Sequence, residues 1–192
     1  MVTYLDPTNF AEGPVFLLIG NSALSGSPDV LPSDATPFVA SGGSWGGNWR
    51  VVGFTTEDGI AHGGMAPAVT PQNVAQQRAA ASNTRGVANQ TVSCTLLELS
   101  AENLKAALGF GTIVSTGTSD DLEMTDDPIT YYAVGVEAFG PKGKPLRIIY
   151  PITIPTVTGD VVNRIGANTG IPARWTRAGG SAGNPHWHFI KP

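Results

Sequence analysis

Two short strand-like runs flank Asp58-Gly59 in the segment WGGNWRVVGFTTEDGIAHGGM, which covers residues 45–65. An Asp-Gly pair between such runs is typical of a β-hairpin, because a type I′ turn needs positive φ at both of its central residues. The segment therefore predicts a hairpin with strands over residues 49–55 and 60–65. Its residue types match neither an enzyme nucleophile nor a phosphate-binding loop, which favours a structural role.

The composition favours a β protein with many turns. Gly and Pro account for 24 and 15 of the 192 residues, which is above average usage. A chain of this length is long enough for one sizeable core, and we expect a single domain over residues 1–192. Only 14% of the residues are charged, which suits a subunit that buries much of its surface against neighbours.

Neither a secretory signal nor a membrane anchor is expected. The first ten residues contain Asp6 and no Lys or Arg, and the apolar run over residues 15–19 is too short to span a bilayer. The single cysteine, Cys94, cannot form a disulfide within the chain and resembles a small buried apolar residue. We therefore expect the chain to be made and kept in a cytoplasm.

Charge is unevenly distributed along the chain. Residues 1–141 hold 4 basic and 14 acidic side chains, a net charge of −10, and residues 142–192 hold 7 basic and 1 acidic, a net charge of +6. The asymmetry is consistent with chance, or with a polar subunit whose acidic surface meets the basic surface of the next copy, as in rings and filaments. The candidate subunit-contact residues are Asp120, Asp121, Glu123, Asp126, Asp127, Arg164, Arg174, Arg177 and Lys191.

Hydrophobic periodicity predicts further strands. The apolar run over residues 15–19 is typical of a strand buried on both faces, and residues 20–48 are predicted to form a long loop or arm. Residues 87–97 alternate with a period of two, which indicates a half-buried strand. Its polar face is uncharged and rich in hydroxyl groups, which suits either solvent or the wall of a wet channel. This face carries Asn89, Thr91, Ser93 and Thr95.

The strand continues into the signals of one short helix over residues 100–109. Ser100 is a suitable N-cap, and Gly109 is a suitable C-cap. Residues four apart lie on the same side of a helix. The buried side is therefore predicted to carry Leu104, Ala107 and Leu108.

Residues 129–139 and 144–154 predict a second, longer hairpin. Pro151 has no N–H to donate, which predicts that the second strand is an edge strand or is bent there. Between the helix and this hairpin, residues 117–128 carry five acids and no base, which predicts an exposed, mobile loop.

The remaining segments are less regular. Residues 71–86 are compatible with a partial helix, a mobile loop or an extended hairpin arm. Residues 156–192 are expected to form a C-terminal extension that packs on a neighbour. Within it, short strands are predicted over residues 173–177 and 186–190.

The chain offers one candidate metal site and no candidate catalytic centre. His186 and His188 would point to the same face of a strand, and imidazole suits zinc or copper. His62 is the only other histidine, and two ligands do not make a closed structural site. We therefore expect no metal, no cofactor and no enzymatic activity, and we interpret residues 184–188 as a polar strand at a subunit contact.

Five segments follow one another in a distinctive order: the strand VFLLIG, the loop LPSDAT, the run GGSW, the run WRVVGFTTEDGI, and the strand TVSCTLLEL that leads into SAENLKAALG. In this order they resemble the major tail proteins, or tail-tube proteins, of long-tailed bacteriophages over about residues 14–155. Members of that family often carry the pattern W-x-x-x-G-(Y/F)-x-(T/S)-x-(D/E)-G. The corresponding segment here includes Trp49, Gly53, Phe54, Glu57, Asp58 and Gly59.

The resemblance implies a mainly β, sandwich- or barrel-like subunit with one flanking helix, extended loops and terminal arms. Six copies would form a ring, and stacked rings would form the virion's tail tube after assembly in the host cytoplasm. The implied partners are other copies, tape-measure and tail-terminator or baseplate proteins, and double-stranded DNA in transit without specific binding. No membrane is implied. The hydroxyl-rich face would line the channel, where a basic wall would attract phosphates.

Two other interpretations of the sequence stay open. One is another virion β-domain, such as a head decoration or baseplate protein. The other is a metal- or sugar-binding β-sandwich that uses His186 and His188.

Overall fold

Antiparallel strands dominate the chain in a computed structural model, which describes residues 15–22, 24, 45, 49–67, 69–72, 82–85, 88–139, 145–161 and 170–189. The predicted mainly β fold with one short helix is confirmed for these residues. The helix, α1, covers Ala101–Leu108. The strands are β1 (Phe16–Asn21), β2 (Arg50–Val51), β3 (Ala61–Gly63), β4 (Val69–Gln72), β5 (Ser82–Arg85), β6 (Thr91–Leu96), β7 (Thr112–Ser115), β8 (Asp120–Glu123), β9 (Tyr132–Phe139), β10 (Pro145–Val157), β11 (Ile171–Arg177) and β12 (His186–Phe189).

Eight strands form one sheet in the order β2-β1-β9-β10-β11-β6-β3, with β12 paired to β10 beside this path. The first half of β10 pairs with β12, its second half pairs with β11, and β9 runs along its other side. The predicted long hairpin is therefore confirmed as β9 and β10. Pro151 lies where the register against β9 shifts, so β10 is irregular there although it is a central strand and not an edge.

The two ends of this sheet are joined by residues 50–56. Their first part pairs with β1, where the Val52 N–H donates to the Leu17 carbonyl at 3.1 Å. Their last part pairs with the end of β6, where the Leu97 N–H donates to the Phe54 carbonyl at 2.9 Å. Because one segment bonds to both ends of the sheet, the sheet curves into a barrel-like shape. We call residues 50–56 the closing segment.

The predicted hairpin around Asp58-Gly59 is wrong, although the turn itself exists. The Gly59 N–H donates to the Thr56 carbonyl at 2.9 Å, so Glu57 and Asp58 are the central residues of the turn. The chain keeps its direction along β6 on both sides of this turn, because Thr55 bridges to Leu96 and β3 then pairs with the start of β6. The two runs are thus parts of one bulged edge segment and do not pair with each other.

The inner side of the curved sheet holds the main hydrophobic core. Fully buried side chains from distant strands meet there, among them Leu17, Val134, Tyr150, Leu96 and Trp175. Burial of this apolar surface is the dominant favourable contribution to folding. The buried strand predicted over residues 15–19 is confirmed as β1.

Helix α1 covers the core next to β10 and β11, and its predicted caps are confirmed. The Ser100 hydroxyl accepts from the Asn103 N–H at 3.1 Å, and Gly109 ends the helix in the left-handed region at φ 82°. The buried side is confirmed in part: Ala107 is buried and Leu104 packs against the core, but Asn103 and Ala106 are buried and Leu108 is half-buried. Small alanines allow close approach to the sheet, and the Trp175 indole N–H donates to the Ala106 carbonyl at 3.1 Å.

Asn103 is buried because it binds the closing segment. Its amide nitrogen donates to the Val52 carbonyl at 2.9 Å and to the Glu98 carbonyl at 3.0 Å, and its side-chain oxygen accepts from Arg50 at 2.5 Å. Burial lowers the pKa of Arg50 despite the opposing effect of nearby Glu102. A polar residue on the buried side of the helix thus fixes the helix against the segment that closes the sheet.

The acidic segment over residues 117–128 is exposed as predicted, but part of it is a strand. Asp120–Glu123 forms β8, which pairs with β7. A tight turn joins the two strands, with the Thr116 N–H donating to the Ser119 carbonyl at 2.9 Å and Gly117 at φ 83°. We call β7 and β8 the acidic hairpin.

Other expectations fall partly outside the described residues. Of residues 71–86, the described ends belong to the paired strands β4 and β5, which matches the hairpin-arm alternative. Most of residues 20–48 lies outside the described residues. In the C-terminal segment, β11 and β12 pair within the chain's own sheet, so this part is not an arm, and a further contact with a neighbour stays a prediction. No described helix has the length and apolarity to cross a membrane.

Candidate functional site

The side of β6 that points away from the main core carries the predicted hydroxyl-rich face. Val92 and Leu96 are fully buried on the core side and Cys94 packs there too, so the alternating residues Thr91, Ser93 and Thr95 point outward. Thr91, Ser93 and Thr95 are half-buried there, and Asn89 is exposed just before the strand. The predicted half-buried strand is therefore confirmed, over the shorter range Thr91–Leu96.

Arg174 of β11 interrupts this uncharged face. It lies opposite Ser93 in the antiparallel register, so both side chains point to the same side of the sheet. Arg174 is exposed, and it makes no hydrogen bond or ion pair with any described residue. A residue predicted for subunit contact thus lies beside residues predicted to face a channel.

A shallow depression of about 230 Å³ adjoins Arg174. Its rim brings together positions that the sequence assigned to three different roles. We call this region the Arg174 surface, defined by Thr56, Asp58, Ser93, Thr95, Thr158 and Arg174. The arrangement offers one guanidinium, one carboxylate and several hydroxyl groups, which can bind polar side chains.

The five predicted contact acids are all exposed on or after the acidic hairpin. Asp120 accepts from the Ser115 hydroxyl at 2.5 Å, and Asp127 accepts from the Thr125 hydroxyl. Asp121 and Glu123 point to the side of β8 opposite half-buried Leu122. None of the five forms an ion pair with a base among the described residues.

The other predicted contact bases are not equivalent to Arg174. Arg177 is held by the chain itself, since its terminal nitrogens donate to the Ala88 carbonyl at 3.2 Å and to the Gly180 carbonyl at 2.5 Å. Arg164 and Lys191 lie outside the described residues. Among the predicted contact bases that the structure describes, Arg174 is therefore the one whose guanidinium is exposed and open to a partner.

A buried charge cluster on β9 and β10 was not predicted from the sequence. The Arg147 Nε donates to the Glu137 Oε2 at 2.7 Å, and both side chains are 0% exposed. The Trp45 indole N–H donates to the same oxygen at 2.7 Å. Gly135 leaves room for the indole, because a Cβ at that position would lie within 2.6 Å of the Trp45 ring.

The sequence contained a weak signal for this cluster. An acid and a base lie on the two strands of the predicted long hairpin, at nearly equal distances from its turn, and Glu137 and Arg147 are indeed opposite in register. Opposite charges on paired strands attract. Nothing in the sequence indicated that Trp45 would cover them.

The histidines do not converge on a metal site. His186 and His188 pair with Ile149 and Arg147, on the side of the sheet away from the main core. His62 lies on the other side, where its Nδ1 is 2.9 Å from the Tyr150 hydroxyl. Among the described residues no three His, Cys, Asp or Glu side chains are placed to hold a metal ion.

Burial, and not a catalytic neighbour, shifts the titratable groups of the core. It lowers the pKa of His62, and it raises the pKa of Tyr150 to about 12. Burial likewise raises the pKa of the Cys94 thiol to about 12, which makes Cys94 a poor nucleophile.

The motif residues of the closing segment lie on the outer surface. Trp49 packs edge-on against Trp45, with ring centroids 4.9 Å apart. Gly53 has φ 81°, and a Cβ there would overlap the Glu98 carboxylate. Phe54 is 75% exposed beside a groove of about 400 Å³.

The turn that follows completes the motif. Glu57 and Asp58 are exposed, and Gly59 has φ 72°.

Comparison with protein-family models and with curated proteins finds no match to this chain.

Proposed function

We propose that the chain is a structural subunit that assembles with copies of itself into hexameric rings, which stack into the tail tube of a long-tailed phage. The observation that carries the proposal is that two hairpins, β4–β5 and the acidic hairpin, form separate two-stranded sheets outside the eight-stranded sheet. Among the described elements, the acidic hairpin contacts the rest of its chain at α1 and leaves its other surfaces open. A two-stranded hairpin is marginally stable alone in water, so such hairpins gain from contact with other surfaces. Neighbouring copies would provide those surfaces.

The exposed apolar residues around the closing segment support the same proposal. Phe54 is 75% exposed, and Val15 and Leu99 are 47% and 53% exposed. The backbone fixes Phe54 in this position, because its carbonyl is bonded to Leu97. Contiguous exposed apolar side chains are typical of protein contact sites.

Arg174 limits which part of the hydroxyl-rich face can line the channel. A guanidinium on a channel wall would attract passing phosphates, which a DNA conduit must avoid. Ser93 and Thr95 line the depression beside Arg174, whereas Asn89 and Thr91 do not. The Arg177 guanidinium near Asn89 is bonded to backbone carbonyls of its own chain. We infer that Asn89 and Thr91 face the channel, whereas Ser93 and Thr95 belong to a contact between copies.

Negative-stain electron microscopy of the concentrated protein tests the proposal. A tube subunit should form uniform hollow rods with a regular axial repeat, because its contacts repeat from ring to ring. Discrete monomers or small rings at high concentration would contradict it and favour a decoration or baseplate role.

The apolar contact is tested in the same assay with Phe54→Ser. We expect fewer or no rods, because the variant removes the most exposed aromatic side chain of the closing segment. Ile129→Ser is the matched control, since Ile129 is 51% exposed but lies beside Gly109 at the end of α1. Equal rod formation by the two variants would exclude Phe54 from the contact.

The channel assignment is tested with Asn89→Arg combined with Thr91→Arg. Virions that carry this variant should assemble tubes and eject DNA more slowly, because the added charges bind phosphates. Unchanged ejection would place these residues away from the channel.

A further inference from the structure

We propose that the Arg174 surface binds the acidic hairpin of a second copy, with Asp121 and Glu123 as the carboxylates that Arg174 receives. The inference rests on the proposed function, because it specifies one contact within the assembly. It follows from the opposite charges of the Arg174 surface and the acidic hairpin. Among the described residues, neither Arg174 nor the two carboxylates has an ion-pair partner.

The receiving surface has the chemistry of a carboxylate site. A guanidinium can donate two parallel hydrogen bonds to one carboxylate, which gives both affinity and orientation. The Ser93 side chain points outward beside Arg174, and Thr95 follows on the same face. Their hydroxyl groups are additional donors for the second carboxylate oxygen or for a neighbouring carboxylate.

The donating hairpin presents its free carboxylates on one side. Asp121 and Glu123 are two residues apart on β8, so their side chains project to the same side about 7 Å apart. Both are exposed, and neither makes a hydrogen bond or ion pair with a described residue. Leu122 lies between them, is half-buried and points to the inner side of β8. The two carboxylates therefore point away from their own chain.

The match is directional, which suits a repeating assembly. The receiving surface and the hairpin are different parts of the chain. When the hairpin of one copy binds the surface of the next, the first copy still has a free surface and the second still has a free hairpin. Contacts of this head-to-tail kind close into rings or extend into filaments. Asp58 lies on the rim of the surface and repels an incoming acid, so the contact is weaker than Arg174 alone would make it.

The experiment is a charge exchange in the full-length protein. Arg174→Asp and Asp121→Arg each place like charges in the contact, and each should raise the concentration needed for half-maximal assembly at least about tenfold at low salt. The double variant restores the opposite charges and should recover most of the assembly. Light scattering and negative-stain microscopy measure assembly, and circular dichroism confirms folding.

Glu102→Arg is the control, because it makes the same charge change at an exposed acid of α1 that belongs to neither surface. It should assemble like wild type. Glu123→Arg should weaken assembly and Asp58→Asn should strengthen it. Above about 0.5 M salt, where screening acts within a few ångström, wild type should lose its advantage over Arg174→Asp.

The outcomes separate the contact from the proposed function. Recovery by the double variant, with a neutral control, supports the contact. Wild-type rods combined with unaffected single variants, or with losses that the double variant does not restore, overturn the contact and leave the tube proposal standing. Failure of the wild type to assemble at any concentration overturns both.

Discussion

Two arginines point away from the main core on neighbouring strands of one sheet, and their surroundings are opposite. Arg147 of β10 is 0% exposed, bonded to Glu137 and covered by Trp45, whose ring centroid lies 5.8 Å from the guanidinium carbon. Arg174 of β11 is exposed and has no partner among the described residues. The fold thus neutralises one cation internally and leaves the other available.

The difference shows where the chain itself supplies a cover. Removing a charge from water costs several kcal/mol, so Arg147 is tolerated only with a bonded carboxylate and a closely packed lid. The indole of Trp45 forms that lid together with Leu18 and Ile149 in a second, smaller apolar cluster. Arg174 has hydroxyl groups around it in place of an apolar lid, which is typical of the polar rim of an interface.

The largest expected effect comes from breaking the buried pair with Glu137→Gln. The variant removes the carboxylate charge to which the buried Arg147 cation is bonded, which should lower the free energy of unfolding by about 3–5 kcal/mol. Urea denaturation followed by fluorescence measures it. Glu137→Leu combined with Arg147→Met should recover part of the loss, because no buried charge remains.

Glu102→Gln is the matched control for that change, since Glu102 is an exposed acid of the helix. It should alter the stability far less than Glu137→Gln. Equal effects of the two substitutions would show that the buried pair is not the source of the difference between the two regions.

The lid is tested with Trp45→Phe. Phenylalanine retains an aromatic ring but cannot donate to Glu137, so the loss should be about 2 kcal/mol, the typical contribution of a hydrogen bond to a charged group. Tyr131→Phe, at a tyrosine that is 39% exposed, is the control and should change little. A Trp45→Phe protein as stable as wild type would mean that the bond to Glu137 adds nothing measurable.

Local signals were sufficient to predict several elements. Ser100 and Gly109 fix the ends of α1 through contacts within the helix itself, and the period of two in β6 records which side faces the core. The β9–β10 hairpin followed from two apolar runs around one turn. In each case the determining interactions lie close together in the sequence.

Partners distant in sequence could not be predicted in the same way. The turn at Asp58-Gly59 is a local feature, but whether the runs beside it pair with each other depends on β6, about thirty residues later. β8 was predicted to be part of a mobile loop because five acids without a base repel one another, yet Leu122 pairs with Ile113 there. Trp45 and Glu137 are 92 positions apart, and no pattern connects them.

Titration of His62, a half-buried residue on the core side of the sheet, provides a smaller test. Burial lowers its pKa in the folded protein, whereas the unfolded chain retains a pKa of about 6.5. Between the two pKa values the unfolded state binds more protons than the folded state. The contribution of neutral His62 to the free energy of unfolding is therefore complete above about pH 6.5 and declines as the pH falls toward the folded-state pKa. His62→Gln should remove that part of the pH dependence in denaturation series. Parallel wild-type and variant curves would contradict it.

The smallest expected effect on stability, and the one that sharpens the contrast most, comes from Arg174→Ala. At protein concentrations too low for assembly, the free energy of unfolding should stay within about 0.5 kcal/mol of wild type, because an exposed side chain without partners contributes little to its own fold. Arg147→Ala should be strongly destabilising under the same conditions, since it removes the cation bonded to the buried Glu137 carboxylate. Denaturation of each variant is measured below the protein concentration at which assembly begins and again above it. The comparison separates an effect on folding from an effect on assembly. A large loss for Arg174→Ala in the isolated chain would mean that Arg174, like Arg147, serves the fold, and that the acidic hairpin must bind elsewhere.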